Sequence, residues 1–382
     1  MATLHEVHFR DASRLRSLSD NSIELVVTSP PYPMIEMWDQ TFCSGDAAIE
    51  KALKRQNGNL AFDLMHRLLE SVWREIRRVL IPGGITCINI GDATRTIDDE
   101  FRLYPNHAAT ISIFRNLGFS LLPVILWRKP TNAPNKFMGS GMLPPGAYVT
   151  LEHEHILIFR NGDRRLFKED AAKRQRHESA YFWEERNVWF SDVWFDLIGT
   201  QQKMNRKTQR SRSGAFPLEL PYRLINMFSV RGDTVLDPFS GTGTTMQAAM
   251  CAGRNSVSYE IDDTFQPVIQ EKITSVPDLS HDLIEKRLDA HQAFVQDRTL
   301  TKSHLKYRNR HYGFPVMTRQ EENLKFDRVS QLKWLSDERF EVTYAGIKNA
   351  IDRSGEANSE HTEHPDLPFA SVSPKARQLK II

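Results

Sequence analysis

The run Thr234-Val235-Leu236-Asp237-Pro238-Phe239-Ser240-Gly241-Thr242-Gly243-Thr244-Thr245 decides the fold. Its first four residues read as a buried β-strand, and the apolar stretch Met246–Ala252 beyond it reads as a helix closed by Gly253. Between them Gly241 and Gly243 let the backbone turn tightly and approach a ligand closely. A second strand, Ser256-Val257-Ser258-Tyr259-Glu260, follows, and then a helix over Thr264–Ile273. Glu260 stands about 20 residues on at that strand's end, where a dinucleotide-type fold places its ribose-hydroxyl acceptor. The Asp237 carboxylate stands where a cationic ligand group could be met. The lysine that a polyphosphate loop carries at the helix start is missing. An uncharged adenosine-type ligand with a nearby cation fits this pattern better than a nucleotide polyphosphate.

Upstream, Ile23, Leu25, Val26 and Val27 form a second apolar run that stops at Ser29-Pro30-Pro31-Tyr32-Pro33. Prolines cannot continue a sheet, so the strand ends in a short, stiff loop. That loop carries one hydroxyl, carbonyls with no competing N–H, and an aromatic face. A flat, amino-bearing ring could be held there, stacked on Tyr32, with Ser29 Oγ and the Pro30 carbonyl accepting its N–H bonds. A plain proline-rich turn is the other reading of the same residues.

Apolar residues at 62, 65, 68, 69, 72, 73, 76, 79 and 80 repeat with helical period. Pro82-Gly83-Gly84 is expected to end that helix and lead into a strand over Ile85–Ile90. A helix over Ala108–Leu117 and a strand over Ser120–Trp127 repeat the unit, which indicates an α/β, doubly wound, mostly parallel sheet. Ile156–Phe159 reads as a further strand, a hairpin partner at the far edge. Residues 34–60 read as a loop with one helix, a lid or a substrate-contacting segment. His8–Ala12 reads as a short strand ending at Asp11, whose carboxylate either meets an adenine amino group or ribose hydroxyl or caps the following turn.

From Asn161 to Ser213 the periodicity breaks. Arg164, Arg165, Lys173 and Arg174 interleave with Phe167, Tyr181, Phe182 and Trp183, and a second run holds Lys203, Arg206, Lys207, Arg210 and Arg212 without an acid. Solvated charge is the ordinary reading of such runs. Cations alternating with large aromatics also suit a phosphate backbone and unstacked bases. The net charge is only +2, so a polyanion would have to meet a local patch. No run of 18 apolar residues exists and the first residues are too polar for a signal peptide, so no membrane association is expected. Cys43, Cys87 and Cys251 are unpaired in spacing, which fits a reducing cytoplasm without disulfides or zinc, and no metal is expected at His361 and His364. Beyond residue 280 no motif is recognisable. A helix over Leu283–Val295, a small ordered element around Trp334, Phe340, Val342 and Tyr344, and disorder over 353–368 are expected.

Taken together, Ser29-Pro30-Pro31-Tyr32 resembles the catalytic motif of the amino-methylating DNA methyltransferases that use S-adenosyl-L-methionine. Asp237-Pro238-Phe239-Ser240-Gly241-Thr242-Gly243 resembles that family's cofactor loop, with Glu260 as its ribose-binding acid. Ala215-Phe216-Pro217 resembles the segment that closes over the cofactor's methionine end. The order of catalytic motif, basic segment and cofactor motif resembles the family's permuted β class, which makes Asp11 an adenine-side contact. The resemblance covers roughly residues 5–275.

It implies a Rossmann-like methyltransferase fold with Ser29, Pro30, Pro31 and Tyr32 catalytic. Asp11, Phe216, Pro217, Asp237, Phe239, Gly241, Gly243 and Glu260 would bind the cofactor. It implies a catalytic half over 1–160, a target-recognition segment over 161–213, a cofactor half over 214–278 and a C-terminal extension over 279–382. Double-stranded DNA is the implied partner, met by Arg164, Arg165, Lys173, Arg174, Lys203, Arg206, Lys207 and Arg210, with a cognate restriction endonuclease alongside. A serine at the first motif position goes more often with cytosine N4 than with adenine N6. No cysteine follows a proline, which speaks against methylation of cytosine carbon 5.

Overall fold

The computed structural model describes residues 1–129, 138–197, 216–301 and 305–347. Among these, eleven strands form one sheet. They are β1 (Ala2–Phe9), β2 (Ile23–Thr28), β3 (Leu80–Ile90), β4 (Phe119–Leu121), β5 (Ile125–Arg128), β6 (His153–Asn161), β7 (Val193–Trp194), β8 (Thr234–Asp237), β9 (Asn255–Glu260), β10 (Asp327–Ser336) and β11 (Arg339–Gly346). Their order is β7-β5-β6-β3-β2-β8-β9-β1-β11-β10, with β4 beside β6. The central five, β3, β2, β8, β9 and β1, run parallel. β6 runs against both β3 and β5. The expected doubly wound, mostly parallel sheet is what the chain forms.

Helices α1 (Asp39–Gly45), α2 (Ala47–Lys54), α3 (Gly58–Val79), α4 (Asn106–Asn116), α5 (Asp170–Glu178), α6 (Trp183–Trp189), α7 (Glu219–Phe228), α8 (Thr244–Cys251), α9 (Gln266–Thr274) and α10 (Val276–Thr301) accompany it. Two apolar cores occupy its two faces. Leu25, Val27, Val235, Ile156 and Ile158 point to the face covered by α7, α8 and α9. Val26, Leu236, Leu157 and Phe159 point to the face covered by α3 and α4. This alternation is the period-2 geometry of a strand buried on both sides. In α3, Asn57 caps the first turn by accepting the Leu60 N–H at 3.0 Å, and Met65, Leu69, Trp73 and Ile76 form the buried stripe.

Three expectations are corrected. β6 lies inside the sheet, not at its edge, because its apolar residues face both cores and such a strand needs cover on both sides. Pro82-Gly83-Gly84 lies within β3: the strand begins at Leu80, and the β2 register jumps from Ile23↔Leu80 to Leu25↔Ile85 around a Gly83 at φ +82°. Residues 34–60 hold a 3-10 turn (Glu36–Trp38), the short helices α1 and α2 and the start of α3, with Phe42 and Ile49 buried in the α3 core, instead of a loop with one helix. The ordered element expected around Trp334–Tyr344 is present as the β10–β11 hairpin, and it extends the main sheet through β11 pairing with β1. The stretch 353–368 lies outside the described residues.

The basic segment and the tail also pack on each other. Phe182, Ile284, Tyr312, Val316, Leu324 and Phe326 form a third apolar cluster. Beside it the Arg287 guanidinium grips Glu185 through two bonds, both groups nearly buried. No helix among the described residues is long and apolar enough to cross a membrane.

Candidate functional site

The carboxyl ends of the parallel strands gather the motifs. Strands β2 and β8 are hydrogen-bonded neighbours, Val26 opposite Leu236, so the loops that follow them leave the sheet side by side. Thr28 Oγ1 donates to Asp237 Oδ1 at 2.7 Å, and Phe239 N–H donates to the same oxygen at 3.1 Å. Asp237 is buried, and burial pushes its carboxyl up to about 6 against the pull of the Thr28, Thr245 and Phe239 hydrogen bonds. β9 is the next strand over. Its terminal Glu260 accepts the Gly241 N–H at 2.7 Å and the Asp262 N–H at 2.9 Å, which fixes its carboxylate against the loop.

The glycine loop has open space above it. A Cβ on Gly241 would meet no atom within 4 Å, and φ of +52° there and +78° at Gly243 are values that side chains rarely adopt. The Ser240 hydroxyl is buried without a partner. Lys272, on α9, donates to Thr242 Oγ1 at 2.6 Å and Thr244 Oγ1 at 3.1 Å, and its burial lowers its pKa to about 8. Asp11 lies just past β1, whose Phe9 pairs with Glu260. Its carboxylate accepts from Ser13 N at 2.8 Å and Ser13 Oγ at 2.6 Å, so it closes the local turn at the same edge of the sheet. Phe216 and Pro217 sit just before α7, with Phe216 buried in the core that also holds Leu25 and Val27.

On the other side of β8, the Ser29–Tyr32 loop is held by residues whose importance the sequence did not announce. Tyr32 Oη donates to Glu154 Oε2 at 3.0 Å, and Asn89 Nδ2 donates to Tyr32 Oη at 2.9 Å and to Glu154 Oε2 at 2.6 Å. Ser29 Oγ lies 3.1 Å from Tyr32 Oη. Lys129 Nζ pairs with the other Glu154 oxygen at 2.9 Å. Burial, and then the neighbouring Glu154 charge, push the Tyr32 hydroxyl well above its ordinary pKa, so it keeps its proton.

The loop's shape is enforced from behind. Buried Asn106 donates to the Pro33 carbonyl at 3.0 Å and to the Gly91 carbonyl at 2.9 Å. Gly91 must be small, because a Cβ there would come within 3.0 Å of the Tyr32 ring. The turn closes through Met34 at φ +67°, a left-handed residue other than glycine, which costs about 1 kcal/mol. Asn89 did leave a trace in the sequence, as a polar residue next to the end of a largely apolar strand, whereas Glu154 stands between two histidines at the start of its strand.

Near this network His107 Nδ1 lies 2.7 Å from Asp92 Oδ2, and its ring stacks on His155 at 4.1 Å and 16°. Asp92, His107 and His155 each bring one donor atom within 4.8 Å of the others, but His107 Nδ1 is already bonded to the Asp92 carboxylate. We assign no metal there.

The first basic run is not brought to this site. β6 runs antiparallel to β3, so its end at Asn161 lies at the opposite edge of the sheet from Thr28. Arg164 and Arg165 follow that end, and Arg165 is bonded through both nitrogens to buried Asp233, just before β8. Gln175 of α5 donates to the Arg231 carbonyl, which places Lys173 and Arg174 at the same far edge. A cavity of about 610 Å³ there is lined by Arg160, Arg164, Phe167, Arg176, Tyr181 and Arg186 among others. The edge that holds the Ser29–Tyr32 loop instead carries two ribbons, Ala93–Ile97 with Glu100–Tyr104 and Met138–Gly139 with Ala147–Tyr148. They join through Phe101 and Tyr148, stacked at 4.4 Å. Lys203, Arg206, Lys207 and Arg210 lie outside the described residues.

This geometry agrees with what known proteins share with the chain. The profile of one family, described as DNA methylase and covering N6 and N4 enzymes, matches residues 23–271. The type II methyltransferase M.MthZI of Methanothermobacter thermautotrophicus is 48% identical over 359 residues, 94% of this chain and 100% of its own. The type II methyltransferase M.MjaI of Methanocaldococcus jannaschii is 51% identical over 284 residues, 72% of this chain and 92% of its own. A Thermus thermophilus protein described as a DNA modification methylase, solved in complex with S-adenosyl-L-methionine, superposes with a TM-score of 0.56 at 31% identity. That superposition covers 72% of this chain and 95% of that one. With a matched profile spanning both loops and a relative aligned along nearly its whole length, the chain belongs to the N6/N4 DNA methylase family and is a type II DNA methyltransferase.

Proposed function

We propose that this methyltransferase moves a methyl group from S-adenosyl-L-methionine to the N4 amine of a cytosine flipped out of duplex DNA. It would protect its recognition site beside a cognate restriction endonuclease. One observation carries the reading: Thr28 donates to Asp237, so the loop able to hold an amine and the loop able to hold the methyl donor abut. The residues fit the cofactor. The open space over Gly241 and the unpartnered Ser240 hydroxyl leave room and a polar contact for it, and Asp237 offers an anion to its cationic end. Glu260 is the proposed ribose acceptor, and Asp11, Phe216, Pro217, Phe239 and Gly243 are the further proposed cofactor contacts. Bound there, the cofactor supplies an electrophilic methyl whose C–S bond breaks with its electron pair left on sulfur.

The chain's own residues prepare the amine. An exocyclic nitrogen is a weak nucleophile because its lone pair is delocalised into the ring. Hydrogen bonds from its N–H groups to Ser29 Oγ and the Pro30 carbonyl favour tetrahedral geometry and release that lone pair. Tyr32 stacks on the base and Pro31 stiffens the loop, so orientation supplies much of the rate. Taking the base out of the stack is what lets it reach such a pocket. The two ribbons at the catalytic edge, together with Lys203, Arg206, Lys207 and Arg210, are the proposed DNA contacts.

Nucleoside mass spectrometry on plasmid DNA incubated with the protein and labelled S-adenosyl-L-methionine tests the assignment. Labelled N4-methylcytosine is expected. N6-methyladenine would keep the mechanism and overturn the choice of base, and unlabelled DNA would overturn the function.

A further inference from the structure

The hydroxyls around Ser29 have a definite proton order. Glu154 is held by the Lys129 ammonium at 2.9 Å, and as a carboxylate it can only accept. Tyr32 has one proton, and at 3.0 Å from Glu154 Oε2 it is given there. Asn89 Nδ2 donates to both, so it supplies no acceptor to either. The 3.1 Å contact between Ser29 and Tyr32 must then run from the serine hydroxyl to the phenol oxygen. Both lone pairs of Ser29 Oγ are left for an incoming N–H.

From this order we infer that Ser29, Tyr32 and Glu154 form a proton relay, with Glu154 the final acceptor of the proton that the methylated amine must lose. The inference rests on the proposed amine methylation. When the amine nitrogen forms its new N–C bond it carries one proton too many and a positive charge. That proton passes to Ser29 Oγ, the serine's own proton passes to Tyr32 Oη, and the tyrosine's passes to Glu154 Oε2. Two O–H bonds break and three form, one N–H bond breaks, and Glu154 ends neutral and later releases the proton to solvent. No phenolate or alkoxide is left behind, because each hydroxyl receives a proton as it gives one. Glu154 touches no substrate: it is a positioning residue acting through two hydroxyls, and Asn89 keeps the tyrosine oxygen aligned.

Glu154→Gln keeps the shape and removes the acceptor, and Tyr32→Phe keeps the ring and removes the middle link. Single-turnover methyl transfer should fall about 100-fold in each, the scale of a lost general base. Cofactor affinity by calorimetry should stay within about twofold, as should base flipping, read as 2-aminopurine fluorescence with an unreactive cofactor analogue. The wild type should show a solvent deuterium isotope effect on that single turnover, and formate should restore part of the rate of Glu154→Ala. Wild-type rates in Glu154→Gln or Tyr32→Phe would overturn the relay, and so would a Glu154→Ala enzyme that formate does not help. Should Glu154→Gln fail to fold, Tyr32→Phe decides alone. A wild type that labels no DNA would instead strike the underlying function.

Discussion

Thr28 and Asp237, 209 positions apart in the chain, are joined side chain to side chain at 2.7 Å. The bond crosses from the strand before the Ser29 loop to the strand before the glycine loop. It is buried, so neither partner has water to turn to if the other is lost.

Asp237 should make cofactor binding pH-dependent. Its carboxyl is raised to about 6 by burial, so folding favours its protonated form. The stability this contributes is complete below the unfolded pKa and is lost as pH rises through about 6. At pH 7 the free protein therefore carries an uncomfortable buried carboxylate that a cationic ligand relieves. Calorimetric Kd for S-adenosyl-L-methionine should rise as pH falls below about 6, by up to about tenfold per unit. Asp237→Asn should flatten that slope and weaken binding at pH 7 without destabilising the free protein. A Kd flat from pH 5 to 8 would remove Asp237 from the cofactor site.

Ser29→Ala removes the side-chain acceptor for the amine while leaving the glycine loop untouched. Single-turnover methyl transfer should drop by about 10²–10³-fold, the usual loss for one positioned hydrogen-bonding group. Cofactor affinity should hold within about twofold. Unchanged turnover would exclude Ser29 from the chemistry.

Arg165 should matter for folding and not for DNA. Its partner Asp233 is 4% exposed, so Arg165→Ala strands a buried carboxylate. Chemical denaturation should show a loss of about 1–3 kcal/mol, moderated because the arginine itself is partly solvated. Reversing the charges of Arg164, Lys173 and Arg174 together should leave DNA affinity within about twofold in a gel-shift titration. A tenfold loss would mean that DNA reaches the far edge of the sheet.

The tail hairpin should be part of the folding unit. Phe340 is fully buried, and its ring meets Trp334 edge-on at 4.8 Å. Phe340→Ala should cost about 3–5 kcal/mol, as truncations of buried aromatic side chains do. Differential scanning calorimetry should show the whole domain melting earlier in one transition. A shift confined to a separate minor transition would make the hairpin an appendage.

Much of the fold was legible because its signals are local. Strand, glycine loop and helix over 234–251 announce themselves through residue type within a dozen positions. So does the proline break after Thr28. Strand placement was harder: nothing within Ile156–Phe159 says whether a strand lies inside a sheet or at its rim. That depends on what covers its second face.

Where the basic run at 164–176 lies in the fold is not legible in its sequence, for a similar reason. Its charge density is visible in the sequence, but its position follows from β6 being antiparallel, which carries the chain to the far edge before the arginines begin. Asn89, Lys129 and Glu154 stand in no motif of their own, each lying within a strand or just beyond one. Only the pairing of β6 with β3 and β5 brings them to one point.

The sequence by itself determined the family, the two motif loops and the alternation of strands and helices, since each rests on contacts between near neighbours in the chain. Tertiary structure alone decided which hydroxyl donates to which around Ser29, and which cations share an edge with it. Those depend on side chains delivered from distant strands, whose neighbours are set by sheet order and direction.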